Sequence, residues 1–112
     1  MSFPAYYTSK QSFSLFGHFF NNTNGIQDKF IAFWDHLSAR LAHNDYIIGF
    51  DPMNEPAPAN PAREPFLFMP GYFDDKYLSP FYNKIFETYY KNDPSKLMWF
   101  MPTQVPDYIG VY

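Results

Sequence analysis

The sequence predicts an α/β fold, a parallel sheet covered by helices. Three observations carry this reading. Two stretches have apolar residues at helical spacing, two short apolar runs read as buried strands, and the two kinds alternate along the chain as helix, strand, long loop, helix, strand.

The first helix is expected over Gly25 to Ala42. Ile26, Phe30, Phe33, Leu37 and Leu41 recur on one stripe that Trp34 widens, and Asp28, Lys29, Asp35 and Arg40 occupy the other face. Asn24 reads as its cap, with Gln27 and Asp28 in the first turn, where a carboxylate suits the helix dipole. Everything before it, Met1 to Phe20, is aromatic and Ser-rich and reads as loop. Tyr46 to Asp51 is a nearly continuous apolar run, the pattern of a parallel strand with both faces covered. Pro52, Pro56, Pro58, Pro61, Pro65 and Pro70 then impose a long loop, and long ordered loops usually serve function. The second helix is expected from Asp75 to Lys91, with Leu78, Phe81, Tyr82, Ile85, Phe86, Tyr89 and Tyr90 as its apolar stripe and Asn92-Asp93-Pro94 as its stop. Leu97 to Met101 reads as the second buried strand. Two strands do not make such a sheet alone, so further strands are expected from outside these 112 residues.

Composition narrows the function. Aromatic residues form 23% of the chain, and ring-rich segments need a large partner surface to bury them. The net charge of -3 and the scattered Lys and Arg give nucleic acid no reason to bind. No apolar run approaches the ~20 residues that span a bilayer, the mean hydropathy is -0.38, and Met1-Ser2-Phe3-Pro4 lacks a basic-then-apolar leader. The absence of Cys excludes disulfides and thiolate metal sites. His18, His36 and His43 do not have metal-site spacing, and His36 and His43 read as a solvated helix face. Asn21-Asn22-Thr23 is a formal N-glycosylation triplet, common by chance.

The chemistry concentrates in Asp51-Pro52-Met53-Asn54-Glu55-Pro56, immediately after a buried strand. In (β/α)8 barrels the C-terminal ends of the strands form the catalytic face. A Glu there can protonate a leaving glycosidic oxygen, and the Asn54 amide can hold a sugar hydroxyl beside it. As an isolated tripeptide, Asn-Glu-Pro is more often a simple turn; the strand before it and the helix-strand unit after it give it weight. Asp51 reads as a hydrogen-bonding support, Asp74 and Asp75 as a solvated helix start, and Trp34 and Trp99 as core. In Pro65 to Phe73, Phe66 and Phe68 are candidates for an apolar wall or sugar platform beside the site, against the commoner reading of packing on a neighbouring part of the fold.

The segment Gly49 to Pro56 resembles the strand-four signature of glycoside hydrolase family 5. Phe19-Phe20-Asn21-Asn22-Thr23-Asn24-Gly25-Ile26-Gln27-Asp28-Lys29-Phe30 and Pro102-Thr103-Gln104-Val105-Pro106-Asp107-Tyr108-Ile109-Gly110 resemble its endoglycoceramidase-like branch more closely than its cellulases. The resemblance covers most of the chain from Phe19 onward. It implies a single catalytic domain represented by residues 1–112: part of a (β/α)8 TIM barrel, strands four and five with the helix preceding each. It also implies a retaining O-glycosyl hydrolase that cleaves the β-linkage between oligosaccharide and ceramide. Glu55 is then the acid/base and Asn54 its hydroxyl-binding neighbour, with a glycan or glycolipid substrate, no cofactor or metal, and a secreted or lysosomal setting. The family nucleophile, a second Glu at the end of strand seven, has no match here; neither Glu64 in the proline loop nor Glu87 in mid-helix replaces it. The histidine-bearing third strand has no match either, and the acidic residue expected at the end of strand five is replaced by Met101. The fragment alone is expected to be inactive. The alternatives are a family 5 β-glucanase or mannanase acting on polysaccharide, and a non-catalytic truncated remnant with weak sugar binding.

Overall fold

A computed structural model describes residues 9–103. Helix α1 spans Lys10–Phe20, where the sequence reading expects loop. The Ser9 hydroxyl accepts the Ser12 N–H at 3.3 Å to cap it, and Phe13, Phe16 and Phe20 recur at helical spacing, with Ser12 itself buried. The helix forms because Phe20 has a core to enter; its ring meets Phe73 edge-on at 4.9 Å. Residues 1–8 of the expected loop lie outside the described residues, as do Gln104 to Gly110 of the C-terminal resemblance.

A short 3-10 turn, Thr23–Gly25, reverses the chain, with Asn22, Asn24 and Gly25 all at positive φ. Asn and Gly enter that region at low cost. The N-cap position of the next helix, α2 (Ile26–Leu41), is Gly25, and the side chain that serves its first N–H groups is Asn22 and not Asn24: the Asn22 side-chain oxygen accepts the N–H groups of Gln27 and Asp28, and its amide donates to the Asp28 carboxylate at 2.8 Å.

The buried face of α2 is rotated from the apolar stripe read in the sequence. Ile26 and Phe33 face solvent, while Gln27 and Ser38 are buried with Phe30, Ile31, Trp34 and Leu41 around them. Polar groups tolerate burial only when partnered, and both are partnered from the second helical unit. Gln27 accepts from Lys84 Nζ at 3.0 Å and Ser38 Oγ from Asn92 at 2.9 Å. An apolar count alone misses a face built from hydrogen bonds.

The strands are shorter than expected: β1 is Gly49–Phe50 and β2 is Leu97–Met98, paired in parallel with Gly49 opposite Leu97 and Phe50 opposite Met98. The Leu97 N–H donates to Ile48 O at 3.0 Å and the Trp99 N–H to Phe50 O at 2.9 Å. Ile48 is 70% exposed, Phe100 65%, and Trp99, expected in the core, is also exposed. Among the described residues the pair has no further strand to extend its ladder, so both runs leave regular pairing early.

Between the strands, Pro56, Ala57, Pro58, Ala59 and Pro61 are buried; an added Cβ on Gly17 of α1 would stand 3.5 Å from that of Ala59. A 3-10 turn, Pro65–Phe68, leads to a π-helical turn, Asp74–Leu78, that runs into helix α3, Ser79–Tyr90. The single helix expected here is thus two windings in series, and Phe86 and Tyr90 of its expected stripe are exposed. Phe81, Tyr82, Ile85 and Tyr89 face the core, where Phe50 stacks edge-on between Trp34 and Tyr89.

The turns that precede both strands are joined by Asp93. Its carboxylate accepts from the Ser95 hydroxyl and N–H and from the His43 N–H, and Lys96 lies at 3.4 Å. The Ser95 hydroxyl and then the His43 N–H hold this carboxyl well below the usual range. A depressed folded-state value contributes stability above the ordinary carboxylate value of 3.8 and loses it as pH falls below that. The melting-temperature gap between the wild-type chain and Asp93→Asn should therefore be widest near neutrality and close toward acid; a pH-independent gap would refute the charge argument.

A Cβ at Gly49 would collide with the Leu97 peptide and stand 2.6 Å from the Trp99 ring. Gly49→Ala should separate the strands and speed amide exchange at Leu97 and Trp99 by about tenfold or more, equivalent to about 1.4 kcal/mol. Unchanged protection at both amides would contradict it.

Candidate active site

Parallel strands carry their chains in the same direction, so the segments leaving β1 and β2 emerge on one side of the sheet. The β1 exit is Asp51-Pro52-Met53-Asn54-Glu55-Pro56. Pro52 and Pro56 are buried and hold the segment at both ends, while Asp51 and Asn54 are exposed and Glu55 is half-buried. Glu55 has φ 45°, in the left-handed region. A non-glycine residue there costs on the order of 1–3 kcal/mol and persists where its surroundings over-determine it. Pro56, directly after it, favours extended backbone at Glu55 and so adds to that cost.

Tyr82 of α3 joins the two exits. Its hydroxyl lies 3.3 Å from the Met53 carbonyl and 3.2 Å from the Met101 carbonyl, and it accepts the Met101 N–H at 3.3 Å. Burial raises its phenol above the ordinary value, the Met101 contact opposes this, and the charges of Asp51 and Asp74 add to the rise. Sequence reading placed Tyr82 in an apolar stripe, and its hydroxyl chemistry gave no local signal.

The sequence reading misplaced Asp74, expected at a solvated helix start. It is half-buried, and its carboxylate accepts the Thr103 N–H at 2.9 Å. Burial pushes its pKa up, against the pull of that N–H and with the help of neighbouring Asp75. Asp75 is exposed, as expected. A signal existed: Asp74 lies four and seven residues before Leu78 and Phe81, on the stripe that enters the core.

Phe66 and Phe68 are both exposed on their 3-10 turn, flanking buried Leu67, and the Phe66 ring meets Tyr72 at 5.8 Å. Glu64 is engaged by Lys76 Nζ, by Tyr72 Oη at 2.7 Å and by Tyr77 Oη at 2.8 Å. Lys76 first, then Tyr72, lowers its pKa against a smaller effect of burial. Saturated with donors, Glu64 is a latch between the proline loop and the π-helical turn. Glu87 is exposed on α3.

Two concavities accompany these groups. One, about 300 Å³, lies between α1 and the proline loop, with Lys10, Phe13, His18, Asn60 and Arg63 on its walls. The other is an open apolar groove of about 490 Å³ formed by Leu15, Phe16, Phe19, Ile26, Phe30 and Met53. Among the described residues no cluster of three His, Asp or Glu could hold a metal ion, and no helix is long and apolar enough to cross a membrane.

The chain is similar to two curated proteins. It shares 32% identity over 80 residues with an endoglycoceramidase of Cyanea nozakii, covering 71% of this chain and 16% of the relative. With an endoglycoceramidase of Hydra vulgaris it shares 27% over 84 residues, 75% of this chain and 16% of the relative. No family model matches. The chain is thus related to glycosidases, in an endoglycoceramidase-like way over a partial region, and that region is about one sixth of the length of each relative.

The Glu64 latch is testable. Glu64→Gln keeps an acceptor but loses the charge that Lys76 and the two phenols share. Limited proteolysis should cut between Arg63 and Lys76 several-fold faster in the variant, and equal cleavage rates would show that the latch does not hold the loop.

Proposed function

We propose that this chain is the acid/base segment of a retaining glycoside hydrolase of family 5 acting on glycosphingolipids, with Glu55 as proton donor and Asn54 as its hydroxyl-binding neighbour. One observation carries the reading: Glu55 occupies a left-handed backbone position that glycine would take at less cost, between two buried prolines, directly beyond a parallel strand. Strain kept at a carboxylate is what a catalytic role would explain. The similarity to two endoglycoceramidases supports the same substrate class.

In this reading β1 and β2 are neighbouring strands, the fourth and fifth, of a (β/α)8 barrel, and their exposed apolar residues are covered by the rest of it. The acid form of Glu55 protonates the glycosidic oxygen as the bond to ceramide breaks, and Asn54 holds a hydroxyl of the sugar as charge develops on the ring. A second carboxylate, which must stand about 5 to 5.5 Å from the first in a retaining enzyme, attacks the anomeric carbon and is supplied from outside this segment. Glu55, now a carboxylate, then takes a proton from the incoming water.

In the full-length protein that carries this chain, Glu55→Gln should lower glycolipid turnover by about 10²-fold or more, with the wild-type product formed at retained anomeric configuration by proton NMR. Near wild-type turnover in the variant, or inversion, would refute the assignment. The 112-residue chain alone should show no turnover.

Phe66 and Phe68 stand exposed as an apolar wall for the ceramide chains in this reading. Replacing both with Ser should impair glycolipid hydrolysis far more than hydrolysis of a soluble aryl glycoside, and equal losses on the two substrates would assign the pair to packing instead.

A further inference from the structure

Resting on that reading, we infer that Tyr82 is a positioning residue: by gripping the peptide groups of Met53 and Met101 it fixes the loop on which Glu55 is aimed. Met53 lies two residues before Glu55 and is the last carbonyl held by α3 before the chain enters the left-handed turn. The Tyr82 hydroxyl has one proton, so it donates to the Met53 or the Met101 carbonyl while its oxygen accepts the Met101 N–H. Donation to Met53 while the oxygen accepts from Met101 is the arrangement that makes the β1 exit and the β2 exit a single unit.

The grip is rigid for three reasons. Tyr82 is 5% exposed, its ring meets those of Phe81 at 5.3 Å and Phe100 at 5.7 Å, and it sits in the first turn of α3 with buried Leu78 and Ile85 four residues before and three after it. Buried hydroxyls need partners, and among the described residues the backbone groups bonded to this one belong to the two strand exits. The rigid ring carries the hydroxyl away from its own helix, and here it reaches the loop that carries the strained glutamate. Burial and, less strongly, the charges of Asp51 and Asp74 raise its phenol, which keeps the proton on the hydroxyl. None of these groups touches the substrate's reacting atoms in this scheme; Tyr82 acts through Glu55.

The consequence is specific to proton donation. Loss of the hydroxyl should leave the core intact and let Glu55 drift from the leaving oxygen, which matters only when that oxygen needs a proton. In the full-length protein, Tyr82→Phe should lower kcat on a glycolipid, whose alkoxide leaves poorly, by about tenfold, with KM changing less than about twofold. Turnover of a dinitrophenyl glycoside, whose leaving group needs no proton, should stay within about twofold of wild type. Equal losses on both substrates would overturn the proposal and leave Tyr82 a packing residue.

A second measurement stands apart from catalysis. In the full-length protein, Tyr82→Phe should move the amide resonances of Asn54 and Glu55 as well as that of Met101; a change confined to Met101 would overturn the grip on the Glu55 loop. If the wild-type full-length protein hydrolyses no glycoside at all, the functional reading fails, and the amide resonances still decide whether Tyr82 holds Glu55.

Discussion

The Leu97 peptide crosses the α-carbon of Gly49 so closely that no side chain fits between them, and most of the described structure is arranged around that approach. Two parallel strands need a long crossover, and here the crossover is the proline loop, the π-helical turn and α3. With β1 and β2 in register, α3 must lie across the pair, which sets Tyr89 against Phe50 and Tyr82 against the two strand exits. Helix α2 then closes on α3 through Gln27 to Lys84 and Ser38 to Asn92.

Around that pairing the core is built from rings. Phe19, Phe20, Phe30, Phe73 and Phe81 meet mostly edge to face at about 5 to 6 Å, an arrangement that aligns positive ring edges with negative faces. Such a core tolerates an irregular backbone because ring contacts do not require a shared period. The π-helical turn and the kink between α1 and α2 both occur beside it. The same composition leaves Ile48, Leu97, Trp99 and Phe100 exposed on and beside the strand pair, an apolar surface of the kind that a larger fold covers.

The electrostatics separate support from chemistry. Asp93 and Glu64 are held by hydrogen-bond donors that favour their charged forms, and each ties distant turns together. Asp74 differs: burial works against its charge, and it stands at the strand exits with Tyr82. Glu55 is marked by backbone conformation, the signature that sequence periodicity cannot carry.

The sequence by itself determined the order of the elements from α2 onward, the spans of α2 and α3 to within a few residues, and the place of Asn54 and Glu55 after a strand, because helical spacing and proline punctuation are local properties. It misread α1, since the serines interspersed in that stretch hid the helical spacing of Phe13, Phe16 and Phe20. It chose a stripe on α2 that includes exposed Ile26 and Phe33, since the partners that make Gln27 and Ser38 acceptable in the core come from 50 or more residues away. Only the tertiary structure decided the short parallel pairing, the inward turn of Asp74, the saturation of Glu64 and the bridge from Tyr82 to Met53 and Met101. Each of these depends on which groups meet across the crossover, and a hydroxyl or carboxylate carries no local sign of the partner that will satisfy it.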